Sequence, residues 1–214
     1  MLLTGFEAYG GRTENPSGQL ARSLDGQMVA GEPIEGRCLA VELRSIGPAI
    51  RAAIEEAEPR LVLCLGLWPG ESMLRLERIA VNEADFDIPD NAGYVARGPL
   101  DPDGPAAYAS TLPLHLTRDA LLAAGIPCHL SGTAGRFLCN AVMYHALAAS
   151  AARIPALPVG FIHVPYLPHQ AAALLADRHG DADFASMGFE LMQAGVRLAI
   201  ETGLASLTPN AATA

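Results

Sequence analysis

Cys139 follows the turn-rich run Ser131-Gly-Thr-Ala-Gly-Arg-Phe-Leu138 and opens an apolar, helix-like stretch. Backbone N–H groups at a helix N-terminus carry partial positive charge, which favours thiolate over thiol and makes Cys139 the candidate nucleophile. Such a thiol needs a base. His163 lies about one strand further on, in Val159-Gly-Phe-Ile-His-Val-Pro-Tyr166, within reach of that role. A third group is Glu77, set in the extended run Leu74-Arg-Leu-Glu-Arg-Ile-Ala-Val-Asn82, where an unpaired carboxylate would be costly and an imidazole partner welcome. Taken singly, a histidine in an apolar strand is more often a hydrogen-bonded core residue, and Glu77 more often half of a structural ion pair. The combination is what points to covalent acyl chemistry.

Those three residues need elements to hold them. Met1–Gly5 reads as a first strand, Asn15-Pro16 as an N-cap and first helical residue of a helix through Leu24, and Gly36–Leu43 as a second strand. Ala49–Glu58 has helical spacing of Ile50, Ala53, Ile54 and Ala57 and stops at Pro59; Leu61–Leu67 is apolar throughout, as a central strand covered on both faces would be. Residues 94–112 show no period and read as an irregular loop or short hairpin. Leu114–Ala124 is a helix, Cys128–Thr133 a strand, Cys139–Ala151 a helix that is apolar nearly all round, and Val159–Val164 a strand. Two helices, Pro168–Ala176 and Phe184–Thr202, close the chain before a frayed tail at 206–214. Alternating strands and helices predict one α/β domain over residues 1–214, a three-layer α/β/α sandwich around a mostly parallel twisted sheet, with ligands gathering at strand C-termini. The helix after Cys139 descends roughly 18 Å. The strand to His163 climbs back roughly 13 Å, so the pair can meet if the loop makes up the difference.

Bulk properties narrow the function further. Half of the 214 residues are hydrophobic and 17% charged, enough for a substantial core. With a net charge of -9 and no basic cluster, the chain is not expected to bind nucleic acid or an anionic membrane. Apolar runs break before they could span a bilayer, and Met1-Leu-Leu-Thr-Gly is too short for a signal segment, which places the protein in the cytoplasm. Cys38, Cys64 and Cys128 sit in strand-like runs as small buried hydrophobes, and neither a CxxC pair nor a zinc-like spacing occurs. No metal, cofactor or disulfide is expected. Gly10-Gly11 lacks the flanking residues of a phosphate loop.

Five blocks resemble the type I pyroglutamyl peptidases, also called pyrrolidone-carboxylate peptidases: Thr4-Gly-Phe-Glu-Ala-Tyr-Gly-Gly11 with Asn15-Pro16, Glu77-Arg-Ile-Ala-Val-Asn82, Ile88-Pro-Asp-Asn91, Ser131–Asn140, and Gly160-Phe-Ile-His-Val-Pro-Tyr166. The resemblance implies a catalytic triad of Cys139, His163 and Glu77, no metal, and small peptides with an N-terminal pyroglutamate as substrates. It also implies that Phe6 and Tyr9 wall the substrate ring, with Phe137, Leu138 and Ile88 nearby and Asn15 offering a polar contact. A homo-oligomer is compatible with it. The alternatives are a thiol amidase of altered N-terminal specificity and a pocket protein with little turnover.

Four positions depart from the family pattern. Tyr9 replaces a usual Phe, Trp68 stands where a small residue is usual, and Glu71 and Asp87 stand where arginine is common. If the arginine at position 87 positions substrate or catalytic groups in relatives, its restoration should help here. Asp87→Arg is expected to raise kcat/KM on a simple pyroglutamyl amide; an unchanged or lower value counts against that role.

Overall fold

A computed structural model describes residues 1–177 and 184–207. Six strands form the central sheet: β1 (Leu2–Phe6), β2 (Glu35–Leu39), β3 (Val62–Leu67), β4 (Leu74–Glu77), β5 (Cys128–Ser131) and β6 (Val159–Val164), in the spatial order β5-β4-β6-β3-β1-β2. The helices are α1 (Pro16–Leu24), α2 (Leu43–Ala57), α3 (Leu114–Ala123), α4 (Leu138–Ala151), α5 (Pro168–Asp177) and α6 (Phe189–Ala205). The sheet is mostly parallel, as expected, but β4 meets β6 antiparallel, so β4 and its parallel neighbour β5 run against the other four.

Alternation along the strands divides the core in two. Leu2, Val62, Cys64, Val159 and Phe161 face α2 and α4, while Leu3, Leu63, Leu65, Leu76, Ile162 and Val164 face the side covered by α1, α3 and α6. β1, β3 and β6 are buried on both faces, which is why those strands read as nearly continuous apolar runs. The nearly all-round apolar α4 buries nine of its residues, from Leu138 to Ser150, as its composition required.

Several boundaries differ from the sequence reading for reasons that lie far away in the chain. α2 begins at Leu43, six residues before Ala49, and tolerates Pro48 inside it. Its first turn is capped by Asp90, whose Oδ2 accepts the Leu43 N–H at 2.9 Å, a partner 47 residues distant. β2 stops at Leu39 because α2 claims the residues that follow. The run 74–82 breaks at Arg78: β4 stays in the main sheet, while Ile79–Val81 pairs antiparallel with Ala107–Ala109, and the irregular segment supplies a second short strand, Arg97–Gly98, against Ala84–Asp85. α6 starts at Phe189, since residues 186 and 187 are engaged with Tyr166 at the end of β6. Of the expected tail, residues 208–214 lie outside the described residues.

Asn140 locks α4 to the segment after β4. It is fully buried; its Oδ1 accepts the Val81 N–H at 2.8 Å and its Nδ2 donates to Val81 O at 2.8 Å and Glu83 O at 3.0 Å. The amide next to Cys139 therefore ties the helix that carries this thiol to the segment that follows Glu77.

Candidate active site

The register of the sheet aligns functional side chains in rows. Gly66 on β3 pairs with His163 on β6, His163 with Arg75 on β4, and Arg75 with His129 on β5. One step along, Cys64, Phe161, Glu77 and Ser131 form the next row. Positions two apart on a strand share a face, so both rows project toward α4. Glu77 then lies diagonal to His163 across an antiparallel pair, close enough for long side chains to meet.

They do meet. Oε1 of Glu77 and Nδ1 of His163 are 2.7 Å apart, with Glu77 at 0% and His163 at 1% exposure. A carboxylate can only accept, so the proton sits on Nδ1 and Nε2 carries the free lone pair. Nε2 and the second oxygen of Glu77 are both buried without a hydrogen-bond partner among the described residues. An orphaned imidazole nitrogen inside a protein is costly and calls for an explanation.

Cys139 is the second residue of α4, half-buried, and meets Nε2's ring at a shared gap beside β3. A Cβ built on Gly66 would lie 2.6 Å from Sγ of Cys139, 3.2 Å from Cδ2 of His163 and 2.7 Å from Phe161. The missing side chain of Gly66 is therefore what lets sulfur and imidazole approach. The electrostatics of the site work against the preformed thiolate that a helix N-terminus would favour. Burial, then the negative charge of Glu77, push the Cys139 thiol well above its ordinary range, and the nearby Cys139 N–H offsets little of this. Burial likewise lowers His163, against the pull of Glu77. Both shifts favour the uncharged forms, a thiol and a neutral imidazole.

The proposed substrate contacts separate into two spaces. A cleft of about 520 Å³ is lined by Tyr9, Trp68, Asp87, Ile88, Arg136, Phe137, Cys139 and His163, among others. Behind it, Phe6, Tyr9, Asn15, Phe137 and Leu138 converge with Val41 and Leu67 on Cys139 around a gap of only about 10 Å³. Ile88 is not part of that inner group; it is 42% exposed on the cleft wall, because the loop before it turns outward. Asn15 touches the inner gap but its polar atoms are used: Oδ1 accepts the Ser17 N–H at 3.1 Å to cap α1, and Nδ2 donates to Glu7 O at 3.0 Å. Its Oδ1 and one Nδ2–H are thus committed to the fold. Tyr9 and Phe137 stand 5.9 Å apart between ring centres, and burial pushes the Tyr9 hydroxyl up to about 12.

Of the departing residues, Asp87 is exposed at the cleft, whereas Glu71 is not a solvated loop acid. Its side chain is 14% exposed, with Oε2 3.2 Å from Nε2 of His129 and 3.6 Å from NH1 of Arg75. Burial opposes ionisation of Glu71, yet the Ser72 N–H, His129 and Arg75 together hold its carboxyl below the usual range. The sequence reading passed over Gly66, although a glycine inside an otherwise apolar buried strand signals a close approach. It also passed over Arg75, whose only sequence signal is a charge two residues before Glu77.

A buried acid–imidazole pair beside a helix-borne thiol, on an α/β/α sandwich, defines a thiol hydrolase. The pattern of the pyroglutamyl peptidase family matches residues 1–206. The pyrrolidone-carboxylate peptidase of Pyrococcus furiosus is 39% identical over 209 residues, covering 97% of this chain and 99% of the relative. That of Klebsiella pneumoniae is 42% identical over 209 residues, covering 96% and 91%. The solved pyrrolidone carboxyl peptidase of Pyrococcus furiosus superposes with a TM-score of 0.92 at 38% identity, over 97% of this chain and 99% of that one. The chain belongs to the pyroglutamyl peptidase family.

Gly66→Ala forces a methyl group between sulfur, imidazole and Phe161. It is expected to cut kcat/KM by about 100-fold or more, and overpacking should lower stability by about 1–3 kcal/mol in urea unfolding. A folded Gly66→Ala enzyme with wild-type kcat/KM would contradict this placement.

Proposed function

We propose that this chain removes N-terminal pyroglutamate from small peptides through an acyl-enzyme on Cys139, with His163 as acid and base and Glu77 orienting it. The observation that carries the reading is the buried Glu77–His163 bond, which leaves Nε2 unpartnered beside the Cys139 thiol. Nε2 takes the thiol proton as sulfur attacks the carbonyl that follows the lactam ring. Glu77 stabilises the imidazolium as it forms. His163 returns the proton to the leaving amine, a thioester remains on Cys139, and water activated by the same nitrogen releases free pyroglutamate. Backbone N–H groups at the start of α4, the Cys139 N–H among them, are suited to the developing oxyanion.

The lactam ring is flat and uncharged, so aromatic walls suit it better than an ion pair. Phe6, Tyr9, Phe137 and Leu138 are the candidates, with Tyr9 required to move because the gap between them holds no more than about one water. Tyr9 precedes Gly10 and Gly11, whose φ values of 61° and 76° belong to a loop that glycine keeps pliable. The rest of the peptide would run along the outer cleft past Trp68, Asp87 and Ile88. No helix among the described residues is long and apolar enough to cross a membrane, and this fits the proposed action as one cytoplasmic peptidase domain over 1–214, alone or as a homo-oligomer.

Wild type should release the amine from a fluorogenic pyroglutamyl amide, and Cys139→Ala should lose at least about 1,000-fold of that rate. Equal activity in Cys139→Ala would refute the nucleophile. A folded, inactive wild type that cleaves another aminoacyl amide would move the assignment to a thiol amidase of different specificity.

A further inference from the structure

Arg75 takes no part in the proton transfers above, yet its guanidinium is committed beside them. Nε lies 3.1 Å from Oε1 of Glu77, NH2 lies 2.8 Å from Oγ of Ser131, and NH1 is 3.6 Å from Glu71. Its Cζ sits 4.0 Å from the centre of the Trp68 ring. Trp68 in turn meets the His163 ring edge-on, with centres 4.9 Å apart and planes at 74°. Glu77 and His163 are thus linked twice, once directly and once through Arg75 and Trp68.

The setting decides how much this link can do. An ion pair on the surface contributes little. Here the Arg75 side chain is 15% exposed and Glu77 fully buried, so charge-assisted bonds and the cation–ring contact act with little screening. Without Arg75 the carboxylate would keep only the imidazole as a partner, its other oxygen already having none. A buried carboxylate held by that one bond alone would fix the ring less firmly.

We infer that Arg75 and Trp68 form a positioning pair for the hydrolytic site, Arg75 fixing the carboxylate of Glu77 and Trp68 steadying the ring of His163. The inference rests on the reading of Cys139 and His163 as nucleophile and base. It carries an electrostatic consequence. The titratable and charged groups facing His163 are Cys139 from α4, Glu77 and Arg75 from β4, Glu71 from the loop after β3, and Cys64 from β3. Glu77 and Glu71 favour the imidazolium and Arg75 opposes it; Cys64, pushed up to about 12 by burial, stays neutral. Removing the Arg75 cation makes the first proton harder to remove from the His163–Cys139 pair, whichever of the two loses it.

The test follows alkylation of Cys139 by iodoacetamide against pH, read by mass spectrometry of its peptide, beside steady-state hydrolysis of a pyroglutamyl amide normalised to titratable Cys139. Arg75→Met is expected to move the midpoint of the rising alkylation limb upward by about half a pH unit or more and to lower kcat by at least about tenfold with KM little changed. Arg75→Lys keeps the charge, and so the midpoint, but loses the planar fork and lowers kcat by about tenfold. Trp68→Leu should lower kcat without moving the midpoint. A merely structural Arg75 would shift the melting temperature and leave midpoint and normalised kcat at wild-type values, which would overturn the inference. Should Arg75→Met fail to fold, wild-type normalised kcat in Arg75→Lys overturns it equally. If wild type cleaves no pyroglutamyl amide while the Arg75→Met midpoint still moves, the substrate reading fails and the positioning pair stands.

Discussion

The hydrogen bond between Nδ1 of His163 and Oε1 of Glu77 joins two side chains that see almost no water. Neither group is tolerable there alone. A carboxylate without a partner would be forced to take a proton, and an imidazole without one would have no reason to prefer a tautomer. Together they place the proton on Nδ1 and leave Nε2 without a partner, beside the gap that Cys139 shares. Everything near the site respects this constraint. β4 runs antiparallel to β6, which sets Glu77 diagonal to His163; β3 presents Gly66, which clears the space in front of the ring; and Asn140 holds α4 against the segment that follows Glu77.

The same burial favours the uncharged forms of the pair. A helix N-terminus offers a nearby anion about 0.3–1 kcal/mol, up to about 2 in sheltered geometry. Desolvation of a fully buried group shifts its pKa by up to about 3–5 units, each worth about 1.4 kcal/mol. For half-buried Cys139, desolvation and the Glu77 charge act on one side and the helix on the other, and the balance lifts the thiol above its ordinary range. In the proposed mechanism the nucleophile is therefore made by general base catalysis at the moment of attack rather than stored as an ion pair.

Much of this was legible in the sequence, because the signals were local. The apolar runs 61–67 and 159–164, the buried helix after Cys139 and the Asn15-Pro16 cap each follow from residues that are close together in the chain. Cys139, His163 and Glu77 were found by chemistry and resemblance, and the fold brings them together. What could not be read depended on distant partners. The direction of β4 and β5 is set by pairing, the start of α2 by Asp90, and the fate of Glu71 by Arg75 and His129. Ile88 and Asn15 illustrate the same point in the pocket: one is turned onto the cleft wall by its loop, the other is consumed by capping.

The central claim is that the pair waits uncharged, with the imidazole proton held by Glu77. Nitrogen NMR of the enzyme labelled at histidine reads this directly. The account predicts that, at about neutral pH and without substrate, the His163 ring carries one proton, on Nδ1, with Nε2 unprotonated. A resting imidazolium with protons on both nitrogens, accompanied by the ultraviolet absorbance of a Cys139 thiolate, would contradict it.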